Sequence, residues 1–119
     1  MMTVTLLPII AAEVRNENIL DKLSIISYKG YLHPPFNVLT ETPHNHSINF
    51  ITGAGGYLQQ IIYGYTGLRI TDNGVIEKYK PMLPNYIKEL TLQNFHLNGK
   101  IYNITIKENK LTITPPSPY

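Results

Sequence analysis

Eight acidic residues supply all the carboxylates of this 119-residue chain, and all but one have ordinary places. Glu13 and Glu17 border the turn after a first apolar segment, and Asp21 falls in the first turn of a helix, where its charge favours the positive helix end. Asp72 is a turn former, and Glu77, Glu89 and Glu108 each neighbour a lysine. Glu41 differs. It lies in Pro35-Phe36-Asn37-Val38-Leu39-Thr40-Glu41, where prolines and apolar residues flank the carboxylate. A carboxylate on a stiffened loop beside apolar surface is what a general base requires. On local pattern alone, Glu41 also fits a solvated loop carboxylate.

Other chemistry-bearing residues are less specific. His33, His44 and His46 share that loop, and His44-Asn45-His46 could hold a metal, but no third ligand stands at a recognisable spacing, so no metal site is expected. Gly53-Ala54-Gly55-Gly56 opens a helix, where free backbone N–H groups can meet an anion or a sugar hydroxyl. Those glycines equally permit close helix packing. Leu58 occupies the third glycine position of a dinucleotide fingerprint, and no Gly-Lys-Ser/Thr follows. Nothing in the sequence calls for a cofactor. Tyr57, Tyr63 and Tyr65 cluster around the same helix, as a sugar-stacking surface or as the amphipathic edge of a core.

These residues need elements to position them. Val4 to Val14 reads as a helix apolar on nearly every face, which must be surrounded by protein. Its partners are missing from this sequence. A second helix starts near Asn18 as N-cap, carries a stripe of Ile19, Leu20, Leu23 and Ile26, and stops after Lys29 at Gly30. His33-Pro34-Pro35 and Thr42-Pro43 make Tyr31 to Asn49 an irregular segment, too long to lack a use. A third helix follows Thr52 and ends at Gly64 and Gly67.

Near Arg69 the pattern switches from helical to alternating. Asp72-Asn73-Gly74 marks a turn. Asn98-Gly99 joins two alternating runs as the favoured two-residue hairpin turn, and Glu108-Asn109 is the next one. The result is a three-strand meander whose apolar face needs a cover, for which the helical half is the candidate. Pro115-Pro116-Ser117-Pro118 cannot continue a strand and predicts a frayed tail.

Composition sets bounds. Hydrophobic residues make up 43% and charged residues 15%, which is globular rather than disordered. A net charge of +2, with scattered basic residues, predicts no nucleic-acid partner. The longest apolar run falls short of the ~20 residues of a membrane span, so no membrane partner is expected. Met1-Met2-Thr3-Val4 lacks a positive leader, and Ala11-Ala12-Glu13 is a poor cleavage site. No cysteine is present, which excludes disulfides and thiolate metal sites. The triplets Asn45-His46-Ser47 and Asn103-Ile104-Thr105 match the glycosylation sequon.

The stretch Asn49-Phe50-Ile51-Thr52-Gly53-Ala54-Gly55-Gly56-Tyr57-Leu58-Gln59-Gln60-Ile61-Ile62-Tyr63-Gly64-Tyr65-Thr66-Gly67-Leu68-Arg69-Ile70 resembles the C-terminal end of the catalytic domain of glycoside hydrolase family 65. The preceding Pro35 to Glu41 looks most like its acid trehalase-like glucosidases, which include the protein-glucosylgalactosylhydroxylysine glucosidases. Met2-Thr3 and the first helix resemble the region just upstream, and Asn85 to Ile113 is more loosely similar to the small C-terminal β-domain. The resemblance covers nearly all of this chain but only the last part of a family member.

That resemblance implies an α+β fragment. Residues 1–67 would be the last helices and an active-site loop of an (α/α)6 barrel, 68–114 a small antiparallel β-domain, and 115–119 the tail. It implies an inverting α-glucosidase for a trehalose-like or glucosyl-galactosyl unit, with carbohydrate as partner once the chain is joined to an upstream barrel. Inverting enzymes set two carboxyl groups roughly 6.5–9.5 Å apart, one protonating the leaving oxygen and one activating water. Glu41 matches the water-activating base, and Thr52 and Gly53 match positions close to the site of attack. The general acid belongs to an upstream segment that this chain lacks, so the chain alone is expected to be inactive. A non-catalytic remnant, or a sugar-binding or interaction module, is the alternative.

Overall fold

The computed structural model describes residues 2–44, 49–116 and 118. Helices α1 (Met2–Glu13) and α2 (Glu17–Lys29) lead into a short antiparallel hairpin, β1 (Leu32–His33) with β2 (Val38–Leu39). Helix α3 (Ile51–Gln59) continues as a π-helical segment over Gln60–Tyr65. A second hairpin, β3 (Leu68–Thr71) with β4 (Gly74–Glu77), and a meander of β5 (Glu89–Leu97), β6 (Lys100–Lys107) and β7 (Lys110–Thr114) complete an α+β fold.

Helix α1 buries one face. Thr5, Pro8, Ala11 and Ala12 point inward, while Leu6 and Ile10 are exposed. Small groups on the inner face let α3 come close. A Cβ on Gly56 would overlap Thr5 Oγ1, and one on Gly64 would lie 3.2 Å from Ile9 Cγ1. Close packing is therefore the role of Gly56, whereas a Cβ on Gly55 would meet open space.

The α1–α2 turn differs from the expected one. Arg15 takes φ 60, Asn16 N donates to Ala11 O at 3.0 Å, and Arg15 N donates to Ala12 O at 3.2 Å. This is a Schellman closure without glycine. Arg15 Nη1 also holds Lys80 O and Pro81 O, at 2.9 and 3.2 Å. Asn16, not Asn18, then caps α2, its Oδ1 accepting from Ile19 N at 3.1 Å. Helix α2 buries only part of its expected stripe, Leu20 with Leu23 packed beside it. Leu20, Ser24 and Ser27 are buried, while Ile19, Ile25 and Ile26 are exposed. Ser27 Oγ donates to Ser24 O at 2.7 Å, and the isoleucine edge finds no cover within the described residues.

Gly67 is the pivot between helices and strands. It adopts φ 77, and its carbonyl accepts from both Lys78 N and Tyr79 N at 3.1 Å. In the meander, Asn98 and Gly99 both have positive φ, as the expected hairpin turn requires. Glu108 and Asn109 repeat that geometry without glycine. A bulge interrupts β5 between Leu92 and Phe95, where Asn94 N donates to Asn103 Oδ1 at 3.0 Å.

A proline-bounded strip, Pro81 to Pro84, is wedged between the helices and the meander. Its Met82 and Leu83 join Ala11, Ala12, Leu20, Tyr65 and Ile106 in one core cluster. Met82 N donates to Tyr65 O at 2.9 Å, and Leu83 N to Asn109 Oδ1 at 3.1 Å. Asp21 grips Asn85 through its backbone N at 2.7 Å and its Nδ2 at 2.6 Å. The helical half thus covers part of the meander through this strip. Pro115 and Pro116 carry no strand, and Ser117 and Tyr119 lie outside the described residues.

Candidate functional site

The segment carrying Glu41 is more ordered in its pairing than its composition predicts. Leu32 pairs with Leu39 and His33 with Val38. Two-residue strands are too short to show alternation, so nothing in the pattern of Tyr31 to Asn49 announces this hairpin. Pro34–Pro35 is a cis peptide, and Asn37 turns the chain with φ 52.

Thr40, fully buried, anchors the exit from β2. Its backbone N donates to Tyr31 O at 3.0 Å and its Oγ1 to Thr42 O at 2.9 Å. Glu41 follows at once, exposed to solvent. The chain then returns: Phe50 N donates to Leu39 O at 2.9 Å, one residue before α3 begins. Glu41 therefore stands at the foot of a loop whose two stems are tied beside the α3 N-terminus.

Thr52 is exposed in the first turn of α3, and Gly53 is buried behind it. Thr52 lines a groove of about 300 Å³ between α1 and α3, with Thr3, Thr5, Leu6, Gly56 and Gln59. A separate concavity of about 350 Å³ opens between the hairpin and α3, lined by Asn37, Leu39, Asn49, Phe50, Ile51 and Ala54. Glu41 lines neither of these two.

His44 is exposed, while His33 is half-buried with its Nε2 unpaired. His46 and the Asn45-His46-Ser47 triplet lie outside the described residues. Asn103 of the second triplet is half-buried in the central strand, its Oδ1 engaged by Asn94 N. Among the described residues no group of three or more His, Asp or Glu could hold a metal ion, and no helix is long and apolar enough to cross a membrane.

Behind α3 the tyrosines form a polar knot that the sequence pattern did not reveal. Tyr65 is buried, and its hydroxyl accepts from Gln60 Nε2, with the hydroxyls of Ser24 and Tyr86 also turned to it. Burial pushes the Tyr65 phenol up, partly offset by those donors. Burial also raises Tyr86 and Tyr57, with neighbouring tyrosines adding to each shift. Tyr57 meets Tyr28 edge to face at 5.6 Å. These phenols stay neutral near pH 7, so Tyr65 serves the core. The available signal was Ser24 and Ser27, spaced on one helix face where a core would ask for apolar residues.

Arg69 is a second residue missed from sequence. Its guanidinium binds Glu13 through Nε at 3.0 Å and through Nη2, and Nη1 reaches Tyr63 O and Leu68 O, both at 2.6 Å. It also stacks 4.9 Å from the Tyr79 ring centre. One side chain thus joins the end of α1, the π-helical segment and β3.

No protein-family model matches the chain. Curated proteins do. It is 37% identical over 94 residues to the protein-glucosylgalactosylhydroxylysine glucosidase of Dictyostelium discoideum, covering 75% of this chain and 13% of that protein. It is 38% identical over 79 residues to a kojibiose hydrolase of Flavobacterium johnsoniae, covering 66% and 12%. An acid trehalase of Emericella nidulans is 35% identical over 82 residues, covering 61% and 8%. The chain is homologous to these glycosidases. It fits a C-terminal portion like that of glycoside hydrolase family 65, in keeping with the resemblance of its glycine-helix stretch. This glycosidase homologue spans only 8–13% of the length of those relatives, which are hydrolases of glucosyl disaccharide units.

Proposed function

We propose that the chain is the C-terminal segment of an inverting α-glucosidase acting on a glucosyl disaccharide unit, with Glu41 as the general base. In this reading residues 1–67 are the closing helices and active-site loop of an (α/α)6 barrel, 68–114 the small β-domain, and 115–119 the tail. Thr52 and Gly53 shape the floor of the sugar site at the start of α3. The observation that carries the reading is the homology to hydrolases of such units, combined with the tied loop that plants Glu41 beside α3.

Glu41 would accept a proton from water as the water oxygen attacks the anomeric carbon. An acid from the upstream barrel would protonate the departing glycosidic oxygen, and the new hydroxyl would stand on the opposite face of the ring. Buried Thr40 fixes the backbone before the base, and its Oγ1 bond to Thr42 O ties the residue after it. Positioning of this kind matters, because removing a general base costs ~10²–10⁴-fold in rate. Without the acid and most of the sugar pocket, the 119-residue chain turns nothing over.

Grafting tests this. The chain replaces the matching C-terminal segment of the Flavobacterium johnsoniae kojibiose hydrolase, and NMR follows the first-formed anomer of glucose released from kojibiose. The reading predicts an early excess of β-glucose over the anomer ratio carried by the reducing end of kojibiose, and no release by the 119-residue chain. An early excess of α-glucose over that ratio, or turnover by the short chain, contradicts it. The non-catalytic alternative is favoured by one observation, the exposure of Glu41 outside both neighbouring concavities. A folded but inert graft would decide for it.

A further inference from the structure

Ile51, 83% exposed as the first residue of α3, borders a concavity of about 350 Å³. Its other lining residues are Asn37, Leu39, Asn49, Phe50 and Ala54. Its volume falls at the lower end of the ~300–1,000 Å³ typical of small-ligand sites. The walls are mutually fixed, since Phe50 N bonds Leu39 O at 2.9 Å.

The chemistry of this lining is mixed in a specific way. Among the described residues it combines apolar side chains with two asparagines, whose amides can each donate and accept, and has no charged residue in its lining. A pyranose ring presents the same mixture, an apolar face of C–H bonds and a rim of hydroxyls that donate and accept. An anion or a cation would find no counter-charge here, and a purely apolar ligand would leave both amides unpaired, at a cost. Turn geometry accounts for the backbone at Asn37 and Asn49, which have φ 52 and 61, but either position would accept glycine as well.

We propose that Asn37, Asn49, Leu39 and Phe50 form a sugar-binding subsite for a glucosyl ring. The assignment rests on the glucosidase reading for its choice of sugar, and it is separate from the assignment of Glu41 as base.

The test is a titration of the ¹⁵N-labelled 119-residue chain with D-glucose, read by amide chemical shifts. Saturable shifts are expected at Asn37, Asn49, Phe50 and Ile51. Asn37→Gly with Asn49→Gly keeps the left-handed backbone and deletes both amides, and should weaken binding by about tenfold or more. Shifts absent up to roughly 0.1 M glucose, or unchanged affinity in the double glycine variant, overturn the proposal. Glu41→Gln separates the two readings: the subsite predicts unaltered glucose binding, whereas the base assignment is judged by turnover of the graft. Loss of turnover with no glucose shifts at this concavity would sink the subsite alone, and retained turnover with intact shifts would sink the base alone.

Discussion

Replacing Gly67 with alanine strikes the joint between helices and strands. Gly67 holds φ 77, where an L side chain costs about 1–2 kcal/mol. The added Cβ would also overlap the carbonyl oxygen of Tyr79, with the carbonyl carbon 2.8 Å away. Backbone cannot escape by changing rotamer, so the strip beginning at Tyr79 must move. That movement strains the two bonds from Lys78 N and Tyr79 N to Gly67 O, each worth a net ~1 kcal/mol. The sum is a loss of about 3–4 kcal/mol, a large share of the ~5–15 kcal/mol typical of a domain. Urea unfolding followed by circular dichroism should show the midpoint falling by about 2–3 M. Gly55→Ala is the internal control, since its Cβ meets open space within α3 and helix propensity alone should stabilise it by ~0.5–1 kcal/mol. Equal midpoints for the two variants would refute the claim that close approach at Gly67 organises the joint.

Other consequences are as open to measurement. Glu13→Gln removes the charge that Arg69 binds at a half-buried site, and should lower stability by about 1.5–3 kcal/mol in urea melts. Because burial raises the phenols of Tyr57, Tyr65 and Tyr86, their neutral forms stabilise the fold fully below the unfolded value near 10, and that stability is lost as pH climbs through the raised folded values. Alkaline titration read by phenolate absorbance should therefore show these tyrosines ionising late, together with unfolding. Ile19→Lys with Ile26→Lys, on the exposed edge of α2, should change stability by less than ~0.5 kcal/mol per site and reduce self-association on size exclusion.

Particular residues explain how far the sequence could be read. Asn98-Gly99 and the alternation around it gave the meander, because turn chemistry and strand period are local properties. The cap at Asn16 was missed because the preceding helix closes on Arg15, a residue without the glycine signal. Of the apolar stripe read on helix α2, Leu20 and Leu23 pack into the core, but Ser24 and Ser27 share the buried face and Ile19 and Ile26 are exposed. Periodicity records which side chains prefer burial, and two elements in a short chain cannot cover every such side. Leu6 and Ile10 on α1, and Ile19 and Ile26 on α2, are left exposed in this way. The continuation of α3 as a π-helix carries no signal in Gln60-Ile61-Ile62-Tyr63-Gly64-Tyr65, since the same residues suit an ordinary helix. Of the candidate site, Glu41 stood out by local composition, but the hairpin beneath it and the concavity between that hairpin and α3 needed coordinates. Their spacing arises from pairing across residues 32–39 and 39–50, which no window along the chain captures.

The most direct measurement of the central claim is the turnover of kojibiose by the graft carrying Glu41→Gln, with and without azide. With Glu41 as base, the variant should lose ~10²–10⁴-fold in rate, and azide, a nucleophile needing no base, should restore glycosyl transfer to give β-glucosyl azide. A Glu41→Gln graft that hydrolyses kojibiose within a few-fold of its parent would contradict the account.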